Sequence, residues 1–215
     1  MRLQSVRHKH LRHRMSSCAH RDYWVARFVG LFSIALDRMK TLFHVSEQSG
    51  IERFEPRMPP TANADVKSPV VWAVDQPHLA NYLLPRECPR VAFHFLPSSS
   101  EQDCERFFGS GGTRHVVAIE SSWLERATNC ILWLYEFSPE PFLCADATAG
   151  YFVSLAAITP VSRRRIERPL IELVACGAEL RVMPSLFALA ASVTSSSLAF
   201  SCIRMRNAGV SPDAL

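Results

Sequence analysis

A histidine and a serine stand two residues apart at the end of an apolar run, in His44-Val45-Ser46. The run 41–46 is apolar and β-branched, which predicts a strand. Alternation along a strand turns His44 and Ser46 toward the same side. An imidazole and a hydroxyl on one face could hold the hydroxyl groups of a ligand. A partly buried histidine bonded to a backbone carbonyl is the competing interpretation.

Arginines occur beside proline-rich turns at two places. Arg53 lies in a proline-containing loop that follows the first strand, and Arg86 and Arg90 bracket a second turn. Guanidinium groups at such turns could bind a phosphate through paired hydrogen bonds. Surface pairing with a neighbouring carboxylate such as Glu87 is the alternative.

Two tyrosines and a glutamate are further candidates. Tyr82 precedes the second turn, whereas Tyr151 follows Gly150 at the start of a predicted strand, where a glycine can allow close approach of a ligand. Glu179 opens a late strand. A carboxylate near a histidine and a tyrosine could bond a ribose and stabilise a developing positive charge. A tyrosine of the sheet and a solvated glutamate are the structural alternatives.

Several familiar catalytic motifs are absent, among them GxSxG, the P-loop, HExxH and GxGxxG between strand and helix. The seven cysteines form no CxxC pair and match no zinc pattern. We therefore expect reduced thiols in a cytoplasmic protein and no metal site. A hydrolase that uses Cys88 or Cys104 as nucleophile is the remaining alternative, although no base for it is identifiable.

The positive charge of the chain is concentrated at its N-terminus. Residues 1–38 hold eight of the 24 Lys and Arg and only two of the 20 Asp and Glu, so the remainder is slightly acidic. We interpret residues 1–38 as a basic extension, disordered or produced by a misplaced start codon, with the natural start near Met39. The near-neutral remainder has no electrostatic footprint for nucleic acid. The apolar run 28–36 is far shorter than the roughly 20 residues that span a bilayer, so no membrane partner is expected.

The remaining elements predict one domain over residues 39–207, followed by a flexible tail, 208–215. Apolar and alternating runs indicate about seven strands with a few short helices between them, and the segment 185–206 reads as a C-terminal helix. The segment 97–112 reads as a Ser- and Gly-rich loop. Strands and helices do not alternate regularly, which predicts an α+β fold with a mixed, strongly bent sheet.

From Met39 onward the chain resembles an uncharacterised family of small bacterial domains of unknown function. The resemblance spans residues 39–207. It rests on four stretches, LFHVSEQSGIERFEPR, VWAVDQPHLANYLLPRECPRV, DATAGYFVS and SSLAFSCIRMRN. This resemblance implies a family but no activity.

A weaker likeness runs to the ADP-ribosyltransferase superfamily, whose members have a first strand with His followed by Thr or Ser. It rests on His44-Val45-Ser46, on the stretch 81–86 and on the late strand 179–184. The likeness implies a split mixed sheet and NAD as co-substrate, with Glu179 on the nicotinamide ribose.

The other roles that this likeness implies concern the cofactor. By this likeness, His44 and Ser46 would bind the adenosine-side ribose, and Tyr151 or Tyr82 would stack on the nicotinamide ring. An arginine of the first loop, such as Arg53, would bind the pyrophosphate. Arg86 is a further cofactor-binding residue. A nucleotide or an NAD-like ligand is the expected partner. The alternative function is a non-catalytic ligand-binding or protein-interaction domain of the same fold.

Overall fold

The computed structural model describes residues 41–59, 66 and 68–209. The predicted extension 1–38 and most of the tail 208–215 therefore lie outside the described residues. Within them the fold is α+β, as predicted, and it contains ten strands in two sheets instead of about seven strands in one bent sheet. The strands are β1 Leu42–Ser46, β2 Val71–Val74, β3 Arg90–His94, β4 His115–Glu120, β5 Leu132–Phe137, β6 Leu143–Asp146, β7 Tyr151–Ser154, β8 Ser162–Ile166, β9 Glu179–Met183 and β10 Ala199–Ile203.

The larger sheet has six strands in the order β6-β7-β2-β1-β5-β8, all antiparallel to their neighbours. The first strand pairs along its whole length with β5, but its register with β2 is the single pair Phe43↔Val74. Strands β1 and β2, which are neighbours at the centre of the sheet, are therefore paired over a short length only.

The smaller sheet has the order β10-β3-β4-β9. Its first three strands are antiparallel, whereas β4 and β9 are parallel, so this sheet is mixed as the sequence predicted. Parallel pairing requires a long connection. Here that connection runs through the larger sheet and returns by a helix before β9.

The main hydrophobic core lies between the two sheets. It joins Phe43 and Leu134 of the larger sheet to Val117 and Ile119 of the smaller one, and all four side chains are buried. Leu83, at the end of a 3₁₀ helix, fills the same core. A smaller cluster covers the outer face of each sheet. Burial of these apolar surfaces is the main force that holds the two sheets together.

Short helices connect the strands. They are the 3₁₀ helices Gln76–Tyr82, Ser121–Trp123 and Met205–Asn207, and the α-helices α1 Glu101–Phe108, α2 Leu124–Asn129, α3 Pro169–Ala175 and α4 Phe187–Thr194. None of the helices in the described ranges is long and apolar enough to span a membrane.

The predicted C-terminal helix was wrong in its second half. Helix α4 ends at Thr194, and three serines lead into strand β10, which pairs with β3. Serine side chains bond the preceding carbonyls here, as Ser196 Oγ does to Val193 O at 2.7 Å, which favours termination of a helix. The segment therefore supplies the edge of the smaller sheet.

Candidate functional site

Two of the sequence-predicted tyrosines meet in the structure. Tyr82 ends the first 3₁₀ helix, and Tyr151 begins β7 after a glycine in left-handed conformation. The Tyr82 hydroxyl donates to the Tyr151 hydroxyl at 2.7 Å, and Trp72 packs edge-on against Tyr151 with 5.7 Å between ring centroids. Burial raises the pKa of Tyr82 well above its ordinary value, and the neighbouring Tyr151 raises it further. The Tyr151 proton is left available to an acceptor.

A buried arginine lies beside this pair. Arg90 is only 3% exposed, and its Nε and Nη1 atoms have no hydrogen-bond partner among the described residues. Its Nη2 donates to the Arg86 carbonyl at 3.2 Å. Burial lowers the pKa of Arg90, and the groups that act against this are Cys88, Tyr82 and Tyr151, none of them a carboxylate. An unpaired buried charge is costly, so its presence at a pair of tyrosines needs an explanation.

A second arginine, Arg86, contacts Arg90 through its backbone. Arg86 is exposed, and its backbone N–H donates to Glu47 Oε2 at 3.1 Å. Its carbonyl accepts from Arg90 and, at 3.4 Å, from Arg204. We call Tyr82, Tyr151, Arg86 and Arg90 the tyrosine–arginine site. Its hydroxyl and guanidinium groups are donors of the kind that bind anions in proteins, and the Glu47 carboxylate contacts the site at the Arg86 backbone.

The predicted residues of β1 lie elsewhere. His44 packs against Phe54 and Phe137, with 4.9 Å between the first pair of ring centroids, and so it is on the outer face of the larger sheet. Its Nδ1 donates to the Trp72 carbonyl at 3.0 Å, which is the arrangement a structural role would produce. Burial lowers the pKa of His44, and the charges of Arg86 and a second arginine add to this effect. Ser46 accepts from a neighbouring backbone N–H in a turn.

The structure separates Glu179 and Arg53 from the tyrosines. Glu179 pairs with Arg181 at 2.6 Å, and Arg181 lies over Phe93 in the cluster on the outer face of the smaller sheet. The tyrosine–arginine site is on the opposite, inner face of that sheet, where Arg90 shares the side of Ala92. Arg53 pairs with Glu55 at the surface.

A concave site elsewhere in the domain was not anticipated from the sequence. An open cavity of about 300 Å³ is lined by Pro77, His78, His94, Phe95, Arg114, His115 and Gly177. The His78 and His94 ring centroids are 5.0 Å apart, and those of His94 and His115 are 5.7 Å apart. We call this the histidine cleft. The sequence contains one signal for this cleft, because β3 ends with a histidine and β4 begins with one. Antiparallel pairing of the two strands brings those ends together.

The imidazoles of the histidine cleft are held in defined orientations. Asp75, the N-cap of the first 3₁₀ helix, accepts from the His78 backbone N–H at 3.1 Å and from His78 Nδ1 at 2.6 Å. His115 Nε2 donates to Asn81 Oδ1 at 2.8 Å. Within the described part of the chain no group of three His, Cys, Asp or Glu could hold a metal ion.

Burial lowers the pKa of His115 to about 4, and the nearby His94 and His78 contribute to the shift. Because the unfolded chain has the ordinary pKa near 6.5, it binds more protons than the folded one between about pH 6.5 and 4. The stability contributed by neutral His115 is complete above pH 6.5 and is lost as the pH falls. Unfolding in urea should show a loss of about 2 kcal/mol between pH 7 and pH 5. His115→Gln should flatten this profile, and an unchanged profile would contradict the assignment.

Comparison with known proteins gives a family. The family of unknown function DUF6886 matches residues 43–208, which is most of the chain and all of both sheets except the first residue of β1. The chain belongs to this family. It matches no curated protein and no solved structure.

Proposed function

We propose that the domain binds a phosphate-bearing nucleotide at the tyrosine–arginine site. The observation that carries the proposal is the uncompensated charge of Arg90, buried beside two tyrosine hydroxyls. Proteins rarely keep a buried charge without a partner, because its desolvation costs several kcal/mol. An anionic ligand at the Tyr82–Tyr151 pair would supply the missing negative charge.

The field of Arg90 favours this location. A buried charge is screened much less than an exposed one, so it acts strongly on its immediate surroundings. Tyr82 responds to it, because the charge of Arg90 acts to lower the pKa of that phenol against the larger effect of burial. Phosphate oxygens at the Tyr151 hydroxyl would experience the same attraction and could also accept from the exposed guanidinium of Arg86.

The aromatic neighbours favour a nucleotide over a bare anion. Trp72 and Tyr151 form an edge-to-face pair, and both rings are partly exposed at the inner face of the larger sheet. A nucleobase can stack on such a platform, with a contribution of about 1–3 kcal/mol for each base. NAD and ADP both offer a pyrophosphate and an adenine, so both fit this proposal.

Binding, and not transfer of ADP-ribose, is the function that the geometry supports best. Transfer needs a carboxylate near the nicotinamide ribose, in the manner of glycoside cleavage. Glu179, the sequence-based candidate for that role, is paired with Arg181 and lies across the smaller sheet from the tyrosines. Incubation with NAD should therefore release no nicotinamide. Release that disappears in Glu179→Gln would favour the transferase instead.

Removal of the exposed arginine tests the binding site without disturbing the core. In Arg86→Ala we expect the affinity for ADP, measured by titration calorimetry, to fall about tenfold or more, because a charge-assisted bond to phosphate contributes roughly 1.5–3 kcal/mol. Melting temperature should change little, since the Arg86 side chain is exposed.

The matched control is Arg106→Ala. Arg106 is also exposed, but it lies on α1 against the outer cluster of the smaller sheet, so ADP binding should be unaffected. Equal losses in both variants would indicate a nonspecific effect of charge. Absence of ADP and NAD binding to the unmodified protein at millimolar concentration would overturn the proposed function.

A further inference from the structure

The histidine cleft combines four polar side chains around one open cavity. His78, His94 and His115 line it together with Arg114, whose guanidinium lies over the Phe95 ring at 4.5 Å from the centroid. Arg114 forms no ion pair with any other residue in the described ranges, and its side chain is exposed. The cleft is separate from the tyrosine–arginine site, because the 3₁₀ helix 76–82 directs His78 to one and Tyr82 to the other.

The hydrogen bonds of the cleft leave several ring nitrogens free to face a ligand. The bond to Asp75 requires a proton of His78 on Nδ1, and Nε2 has no partner among the described residues. The bond to Asn81 places the proton of neutral His115 on Nε2, so its Nδ1 is an acceptor. His94 bonds no other residue of the described segments through either nitrogen.

The backbone around the cleft is built to keep this arrangement. The Gly150 carbonyl accepts from the Asp75 N–H at 3.1 Å, and a Cβ at Gly150 would lie 2.5 Å from Asp75 Oδ1 and closer still to the His78 ring. Only glycine therefore permits the contact between Asp75 and His78. Burial lowers the pKa values of His94 and His115, so these two rings are neutral at pH 7 and can accept hydrogen bonds.

We propose that the histidine cleft is a second binding site, which takes a small anion that also carries hydroxyl groups. The imidazole nitrogens accept from the ligand hydroxyls, and Arg114 binds the anionic group from the rim. A cleft of about 300 Å³ accommodates a molecule of the size of a pentose phosphate. A metal ion is not the expected occupant, because the histidines and Asp75 do not converge as metal ligands.

The proposal is tested by NMR titration of the whole protein, in which the histidine ring resonances are followed. The added compounds are ribose 5-phosphate, gluconate, free ribose and inorganic phosphate. We expect the resonances of His78, His94 and His115 to shift with ribose 5-phosphate or gluconate at concentrations where ribose and phosphate alone produce little change. Comparison of ribose 5-phosphate with gluconate shows whether the cleft binds a sugar phosphate or a hydroxy carboxylate. If neither shifts these three rings, the proposal is wrong.

Two variants connect the binding to the cleft. Arg114→Gln should weaken binding of the hydroxylated anion about tenfold or more, since it removes a guanidinium that lines the cavity. Arg86→Ala should leave the ring shifts unchanged, because Arg86 belongs to the tyrosine–arginine site. Full binding by Arg114→Gln, or loss of the shifts in Arg86→Ala, would overturn the assignment. Failure of this site alone would leave the ADP binding proposed above intact.

Discussion

Gly150→Ala is expected to destabilise the domain by about 2–5 kcal/mol. The residue has φ of +67°, a conformation that costs roughly 1–2 kcal/mol for a residue with a Cβ. The added methyl would also overlap Asp75 and the His78 ring, and it would push apart the two groups that fix the start of the first 3₁₀ helix. Thermal and urea unfolding would measure the loss, and the His78 resonances of any folded fraction should move.

Gly112→Ala is the matched control for this change. Gly112 has nearly the same φ, +72°, but a Cβ there would have no atom within 4 Å. Its substitution should therefore cost only the backbone strain, about 1–2 kcal/mol. The difference between the two variants isolates the overlap with Asp75 and His78. Equal losses of stability in the two variants would mean that Asp75 and His78 can move apart at little energetic cost.

Arg90→Met should stabilise the free protein and weaken its binding of ADP. Replacing a buried charge by an apolar side chain of similar size removes a desolvation cost, and even well-paired buried charges are often replaced with a gain of about 1–4 kcal/mol. Among the described residues, the side chain of Arg90 has one hydrogen bond to lose, to the Arg86 carbonyl. We expect the free energy of unfolding to rise by about 2 kcal/mol, while the affinity for ADP falls about tenfold or more.

Arg90→Lys serves as the comparison for the charge itself. It keeps the positive charge but loses the planar group, so it should retain part of the affinity and gain no stability. Urea unfolding and calorimetry on the three proteins would separate these effects. A large loss of stability in Arg90→Met would show that the arginine is structural, with an interaction that offsets its burial, and would contradict the account of the tyrosine–arginine site.

The tyrosines illustrate what the sequence can and cannot predict. Both were candidates for the same role, stacking on the nicotinamide ring. No local sequence pattern relates Tyr82 to Tyr151, which are 69 positions apart. Their contact arises because the fold brings the end of the first 3₁₀ helix to the start of β7. The α+β class and most strands were predictable, because apolar alternation depends on local spacing alone.

Strand β8 and helix α1 were not predicted from the sequence. Strand β8, with the sequence SRRRI, has no alternation, because four of its five residues are exposed at the edge of the larger sheet. Charged edge strands are common since they prevent aggregation. Helix α1 was missed within an apparent loop, although Ser100 caps it through the Asp103 N–H and Phe107 anchors it.

The histidine cleft was also missed. His78, His94 and His115 are widely separated in the chain, and each has an ordinary local context. Only the pairing of β3 with β4, and the packing of the 3₁₀ helix beside them, brings the three rings together. The burial of Arg90, with two guanidinium nitrogens that have no hydrogen-bond partner among the described residues, is likewise a property of the packed domain that composition does not reveal.

A crystal structure of the domain grown with saturating ADP tests the central claim most directly. The account predicts phosphate oxygens within hydrogen-bonding distance of the Tyr151 hydroxyl and the Arg86 guanidinium, with the adenine against Trp72. It also predicts that the ligand lies on the inner face of the larger sheet, away from Glu179. Clear density for the intact domain with no nucleotide at Tyr151, or with nucleotide bound only at another surface, would contradict it.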